Sequence, residues 1–120
     1  MIKIYNTFTQ KKEYLKTNSF GVLKIYVCGV TVYDLCHIGH ARIFIFFDSV
    51  IRYLKFLGFN IIYVRNITDI DDKIIYKSKK IYISFSHLIY FFIKIMKKNF
   101  THLNLLLPTY EPRATYFINY

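Results

Sequence analysis

The chain has 120 residues, enough for about one small domain, and its hydrophobic share of 54% is high enough to bury a real though thin core. Lys and Arg outnumber Asp and Glu 17 to 7, a net charge of +10 that favours polyanions such as nucleotide, nucleic acid or an anionic membrane surface. The lysines are scattered, with Lys77, Lys79 and Lys80 the densest group, so drift toward Lys, Ile, Phe and Tyr accounts for the charge equally well. Two cysteines, Cys28 and Cys36, make neither a disulfide framework nor a CxxC pair, which fits a reducing, cytoplasmic compartment.

In chain order, the opening MIKIYNTFTQKKEY lacks the apolar run of a signal peptide, and no element is assigned before Val22. Val22 to Cys28 is β-branched and apolar and predicts a buried strand, followed by Gly29 and a short loop through Asp34 and Leu35. From about Gly39 to Leu57 the chain is apolar on most sides. Arg42, Ser49, Arg52 and Lys55 form a narrow polar face, which predicts a long, nearly buried helix with Gly58 just past its end. Asn60 to Asn66 predicts a second strand. Strand, helix, strand in about forty residues is a βαβ unit, so the strands should be parallel.

Thr68 to Asp72 is acidic and suits the start of a following helix. Phe85, Leu88, Ile89, Phe92, Ile95 and Met96 recur at helical spacing, with Ser84 or Ser86 as N-cap and an end near Asn99 or Phe100. The apolar stretch from Ile81 to Met96 includes His87 and Lys94 and falls short of the ~20 apolar residues that span a bilayer. A buried helix is the expectation, with no membrane partner; a membrane-surface helix over 84–99 is the competing reading. Pro108 and Pro112 break the tail, and the last residues suit the start of a further helix. The fold class is therefore α/β, the first half of a Rossmann-like nucleotide-binding domain with a helical extension. Half a doubly wound sheet leaves strand edges and a sheet face uncovered, which points to an incomplete domain over 1–120.

The sharpest chemical feature is Cys36-His37-Ile38-Gly39-His40, after a predicted strand and at a helix start. Free backbone N–H groups and the helix dipole make such a place an anion site. Two imidazoles can address one phosphate chain there, and Gly39 lets a flat base or a phosphate approach the backbone. Taken as H-x-x-H alone, helix-start histidines without a task explain the pattern better. Cys28, Cys36, His37 and His40 could in principle supply four zinc ligands, but their spacing is not that of a zinc finger and they would have to wrap a helix start.

The run Tyr26 to Arg42 (YVCGVTVYDLCHIGHAR) resembles the corresponding run of bacterial-type cysteinyl-tRNA synthetases, and His37 to His40 matches the HIGH motif of class I aminoacyl-tRNA synthetases. Tyr63 to Ile74 (YVRNITDIDDKI), Lys3 to Thr7 (KIYNT) and Glu111 to Thr115 (EPRAT) match further blocks in family order. The resemblance implies a ligase that activates cysteine with ATP and Mg²⁺ and transfers it to tRNA. It implies that Cys28 is one ligand of a zinc that binds the substrate thiol and so rejects serine. His37 and His40 are then catalytic and contact the ATP phosphates, where they stabilise developing charge. Gly39 makes room for adenine, and Gly29 and Thr68 shape the amino-acid pocket. Asp69, Asp71 and Asp72 invite a Mg²⁺ reading, but helix capping and loop hydrogen bonds explain them better.

The departures from the family pattern are a KMSKS-like loop and the remaining zinc ligands, neither of which lies within these residues, and the tRNA acceptor-binding insertion and anticodon-binding helices, also without a match. Tyr76 to Lys98 is basic and aromatic where relatives are acidic. Three other readings follow: a truncated relic without chemistry, a basic nucleic-acid-binding module, and a cysteine–amino-sugar ligase of the same fold.

Overall fold

The computed structural model describes residues 2–118. Its first element is an antiparallel hairpin of β1 (Lys3–Asn6) and β2 (Lys11–Tyr14), in register from Lys3 opposite Tyr14 to Asn6 opposite Lys11. Asn6 Oδ1 accepts from the Phe8 N–H at 2.9 Å, and Gln10 takes a left-handed φ of 55° to close the turn. Both faces of the hairpin are largely exposed. Without a buried face there is no alternation to read, which is why no element is predicted there.

β3 (Val22–Thr31), α1 (Ile38–Phe56) and β4 (Asn60–Thr68) form the expected βαβ unit, with the strands parallel from Val22 opposite Asn60. β3 runs three residues past the predicted end at Cys28. Register breaks between Val27 and Val30, where Cys28 and Gly29 stand against Asn66, and pairing resumes at Val30 opposite Ile67. The bulge re-phases the strand: Leu23 and Val27 point inward before it, Val30 and Val32 after it.

α1 ends in a Schellman motif. Gly58 has φ 86°, its N–H meets the Lys55 carbonyl at 2.9 Å, and the Phe59 N–H meets that of Leu54 at 3.1 Å. The expectation of a nearly buried helix is corrected: only Phe44, Ile51 and Leu54 are buried, while Ile43, Ile45, Phe46, Tyr53 and Phe56 are exposed. The helix packs on one side, so one stripe is covered and its other apolar residues face outward.

α2 (Asp72–Lys80) is capped by Asp71, whose Oδ1 accepts from the Lys73 N–H at 2.8 Å. α3 (Phe85–His102) is capped by Ser84 and runs two residues past Phe100. Like α1, it ends in a Schellman motif, here with Asn104 at φ 52°. Leu88, Ile89, Phe92 and Met96 are buried as the spacing predicts, and Ile93 and Phe100 join them. These side chains meet Val27, Val30, Phe44, Ile51, Tyr63 and Ile67 in one core on one face of the sheet. On the other face Lys24, Tyr26 and Cys28 are exposed.

The proline-broken tail returns alongside β4. The Arg65 N–H donates to the Tyr110 carbonyl at 3.1 Å and the Ile67 N–H to that of Pro112 at 2.9 Å, making a rudimentary third parallel strand. In place of a further helix, residues Ala114–Tyr116 form one 3₁₀ turn; the final two residues lie outside the described part.

Candidate functional site

The loop after β3 delivers His37 to the N-terminus of α1 as its N-cap. The cap is built from two imidazoles. His37 Nδ1 accepts from the Gly39 N–H at 3.1 Å, and His40 Nδ1 accepts from the His37 N–H at 3.2 Å. The rings lie 3.9 Å apart between centroids, tilted by 39°. This is a capping box in which histidines do the work of the usual hydroxyl and carboxylate. It fixes the tautomers: with both Nδ1 atoms accepting, each neutral ring carries its proton on Nε2. The motif therefore offers two Nε2–H donors from one rigid pair. His40 is held neutral further down the pH scale than a free histidine, first by burial and then by the neighbouring His37.

One expectation changes here. The helix start does not present a row of free amides, because the Gly39 N–H is taken by His37 and the His40 and Ala41 N–H groups meet the His37 carbonyl at 2.9 and 3.3 Å. The two imidazoles add their Nε2–H groups as side-chain donors at this helix start. Gly39 is required by this packing as well: a Cβ there would stand 2.8 Å from His37 Cε1 and 3.0 Å from its Nδ1. A side chain at 39 pushes His37 off its cap.

Gly29 lies in the bulge, and a Cβ there would fall 1.5 Å from the Asn66 carbonyl oxygen. Its N–H donates to Asn66 Oδ1 at 2.6 Å, and Asn66 Nδ2 donates to Thr68 Oγ1 at 3.3 Å. Asn66 thus ties Gly29 and Thr68 together at the carboxyl end of the sheet. Sequence reasoning assigned it no role; the signal was the bulge opposite it, visible only as a break in the alternation of β3.

Cys28 is exposed beside Gly29, whereas Cys36 is half-buried and packs against the core, and burial pushes its thiol up. Among the described residues no three His, Cys, Asp or Glu side chains converge as metal donors, so Cys28, Cys36, His37 and His40 do not form a shared site. Two of the three aspartates of TDIDD have structural tasks. Asp71 caps α2. Asp69 is buried and accepts from the Thr115 N–H at 3.0 Å and its hydroxyl at 2.7 Å.

The other polar group of the core is Arg65, 4% exposed, also unassigned in the sequence reading. It bonds Glu111 Oε1 through Nε at 3.1 Å and through a terminal nitrogen at 2.6 Å, and its guanidinium lies over Phe100 and Phe44 at 4.5 and 5.3 Å. Lys97 reaches the other Glu111 oxygen at 3.3 Å. Arg65 and Asp69 together fasten residues 109–115 to β4, at the same end of the sheet as the histidine pair.

The family model for the tRNA synthetases class I (C) catalytic domain matches residues 14–120. A cysteine–tRNA ligase of Blochmanniella floridana is 54% identical over 115 residues, covering 96% of this chain and 24% of the relative. Those of Buchnera aphidicola subsp. Cinara cedri and Shigella boydii serotype 4 are 55% identical, over 99% and 98% of the chain and 25% and 27% of the relatives. The chain spans about a quarter of the length of these relatives. With four blocks in family order, a βαβ unit that holds two histidines at the start of its helix, and a match across nearly every residue, this chain belongs to the class I (C) tRNA synthetase catalytic domain family.

Proposed function

We propose that residues 1–120 are the amino-terminal portion of the catalytic domain of a cytoplasmic cysteine–tRNA ligase, which activates cysteine with ATP and passes it to tRNA. The observation that carries this reading is the interlocked His37–His40 pair at the carboxyl end of two parallel strands, where α/β sheets bind nucleotides. In the proposal, the cysteine carboxylate attacks the α-phosphorus, the pyrophosphate oxygen leaves with the electron pair, and cysteinyl adenylate forms. The two Nε2–H donors meet the phosphate oxygens on which charge grows. Each Nε2–H donates a hydrogen bond, and no proton transfer from the rings is needed in this step. Gly39 keeps the His37 ring in place and leaves the helix start open to the base.

Gly29 and Thr68, joined through Asn66, form one wall of the amino-acid pocket in this reading. Cys28, exposed beside them, is assigned as one thiolate donor to zinc. A single donor does not hold zinc, and the described residues supply no set of three, so no step is routed through the metal. Mg²⁺ would enter with the ATP phosphates, because Asp69 and Asp71 are already engaged.

Cysteine-dependent ATP–pyrophosphate exchange tests the reading. In a protein that carries this segment within a complete domain, His40→Ala should lower exchange by about 10²–10³-fold, the usual loss for one donor to developing charge. The 120-residue chain alone should show none. Exchange unchanged by His37→Ala and His40→Ala would remove the assignment, and transfer of cysteine to an amino-sugar but not to tRNA would replace it.

A further inference from the structure

Side chains alternate across β4. Tyr63, Arg65 and Ile67 are buried on the side of the helices, whereas Asn66 and Thr68 lie half-buried on the opposite face of the sheet. The exposed Cys28 is on that face too. Asn66 is engaged through both atoms of its amide: Oδ1 accepts from the Gly29 N–H at 2.6 Å, and Nδ2 makes the longer bond, donating to Thr68 Oγ1 at 3.3 Å. A backbone N–H only donates, so Gly29 fixes the orientation of the amide. The oxygen faces the bulge and the NH₂ faces Thr68.

Filling the bulge explains half of this arrangement. Register breaks between Val27 and Val30, and Asn66 Oδ1 supplies the Gly29 N–H with the acceptor that the interrupted ladder does not. An aspartate would serve that purpose as well. The second bond is not needed for the bulge, and it acts on Thr68, the last residue of β4. The amide NH₂ has hydrogens to give and no acceptor to offer, so Thr68 Oγ1 accepts there and its own proton is kept for another partner. With aspartate at 66, a carboxylate oxygen would draw that proton inward.

We propose that Asn66 is a positioning residue of the amino-acid pocket, which holds the Thr68 hydroxyl as a hydrogen-bond donor to the carboxylate of the substrate. The proposal rests on the reading of Gly29 and Thr68 as one wall of that pocket. Of the polar groups of free cysteine, the ammonium has no lone pair and the thiol is a weak acceptor, so a hydroxyl proton selects the carboxylate. One carboxylate oxygen accepts from Thr68 and the other is left to attack the α-phosphorus.

The test is steady-state ATP–pyrophosphate exchange in a protein that carries this segment within a complete domain. The competitor is cysteamine, which keeps the thiol and the ammonium of cysteine and lacks the carboxylate. Asn66→Asp keeps the acceptor for Gly29, so its thermal transition should stay that of the parent. Its KM for cysteine should rise about tenfold, the loss of one hydrogen bond to a charged group, while the KM for ATP and the inhibition constant of cysteamine stay put. Thr68→Val, which leaves the bulge untouched, should raise the cysteine KM by the same factor, and the double variant should raise it no further, because both changes remove one bond. A cysteine KM like that of the parent, a cysteamine constant that moves with it, or losses that multiply in the double variant overturns the proposal. His37→Ala and His40→Ala in the same assay report on the ligase reading separately. Exchange lost in them with an unmoved cysteine KM in Asn66→Asp ends this proposal and leaves that reading standing. Exchange unchanged in them beside a selective rise in cysteine KM removes the histidine assignment and supports this one.

Discussion

Two pairs of strands in this molecule are held in opposite ways. The β1–β2 hairpin rests on its own ladder and a polar turn, where Glu13 accepts from the Thr9 hydroxyl at 2.5 Å and from Asn6 at 3.1 Å. Nearly all of it is exposed. The β3–β4 pair carries one face of the core and is joined by side chains from far along the sequence, Asn66 to Gly29, Arg65 to Glu111 and Asp69 to Thr115. An isolated two-stranded hairpin is marginal in water, whereas a strand pair under helices gains from buried apolar area. The same contrast explains where substitutions should be felt.

The largest effect is expected at Gly29. A methyl there meets the Asn66 backbone oxygen, which cannot turn aside as a side chain can. Gly29→Ala should cost about 3 kcal/mol or more, seen as loss or broadening of the cooperative thermal transition. An unaltered melting curve would show that the bulge is soft and the two strand pairs less different than they look.

Arg65 comes next. Arg65→Ala leaves the Glu111 carboxylate, which is only 17% exposed, with the half-exposed Lys97 as its remaining cation, and uncovers the Phe44 and Phe100 rings. Breaking a buried pair from one side costs about 3 kcal/mol, and denaturant unfolding should report it. Arg65→Met with Glu111→Gln should recover part of the loss, because the packing is kept and no charge is left alone.

The histidine cap gives a smaller, pH-dependent term. His40 titrates below its ordinary value of 6.5 in the folded chain, so between those two values the unfolded chain binds more protons than the folded one. Its contribution is fully present above about pH 6.5 and is lost as pH falls through the lower folded value. Protonation also removes the Nδ1 acceptor from the His37 N–H. The parent should therefore lose more thermal stability between pH 7.5 and 5.5 than His40→Gln does; equal losses would place the sensitivity elsewhere.

The smallest effect is expected in the hairpin. Thr9 and then Asn6 hold the Glu13 carboxyl below the usual range, yet the group is fully exposed. Glu13→Gln should leave the global melting temperature unchanged while speeding amide exchange within β1 and β2. A global shift would mean that the hairpin is part of the cooperative unit after all.

The βαβ order, the Ser84 and Asp71 caps and the Gly58 stop were legible from the sequence because each depends on neighbours within a few positions. So was the histidine pair, since Cys36 to His40 carries its own spacing. The helical period of α3 was legible because its face is buried, and the hairpin was not because neither of its faces is. The apolar surface of α1 misled for a related reason: hydrophobicity states what a residue tolerates, and only packing decides which stripe is covered.

What the sequence determined by itself was local: strand, cap, helix and stop, and the imidazoles at a helix start. Tertiary structure alone decided the rest. It brought Asn66 against Gly29 and put Glu111 on Arg65 and Thr115 on Asp69. These are contacts between residues 37 and 46 positions apart. No repeat period encodes them, because they are settled only when buried polar groups must all find partners in the same packed interior.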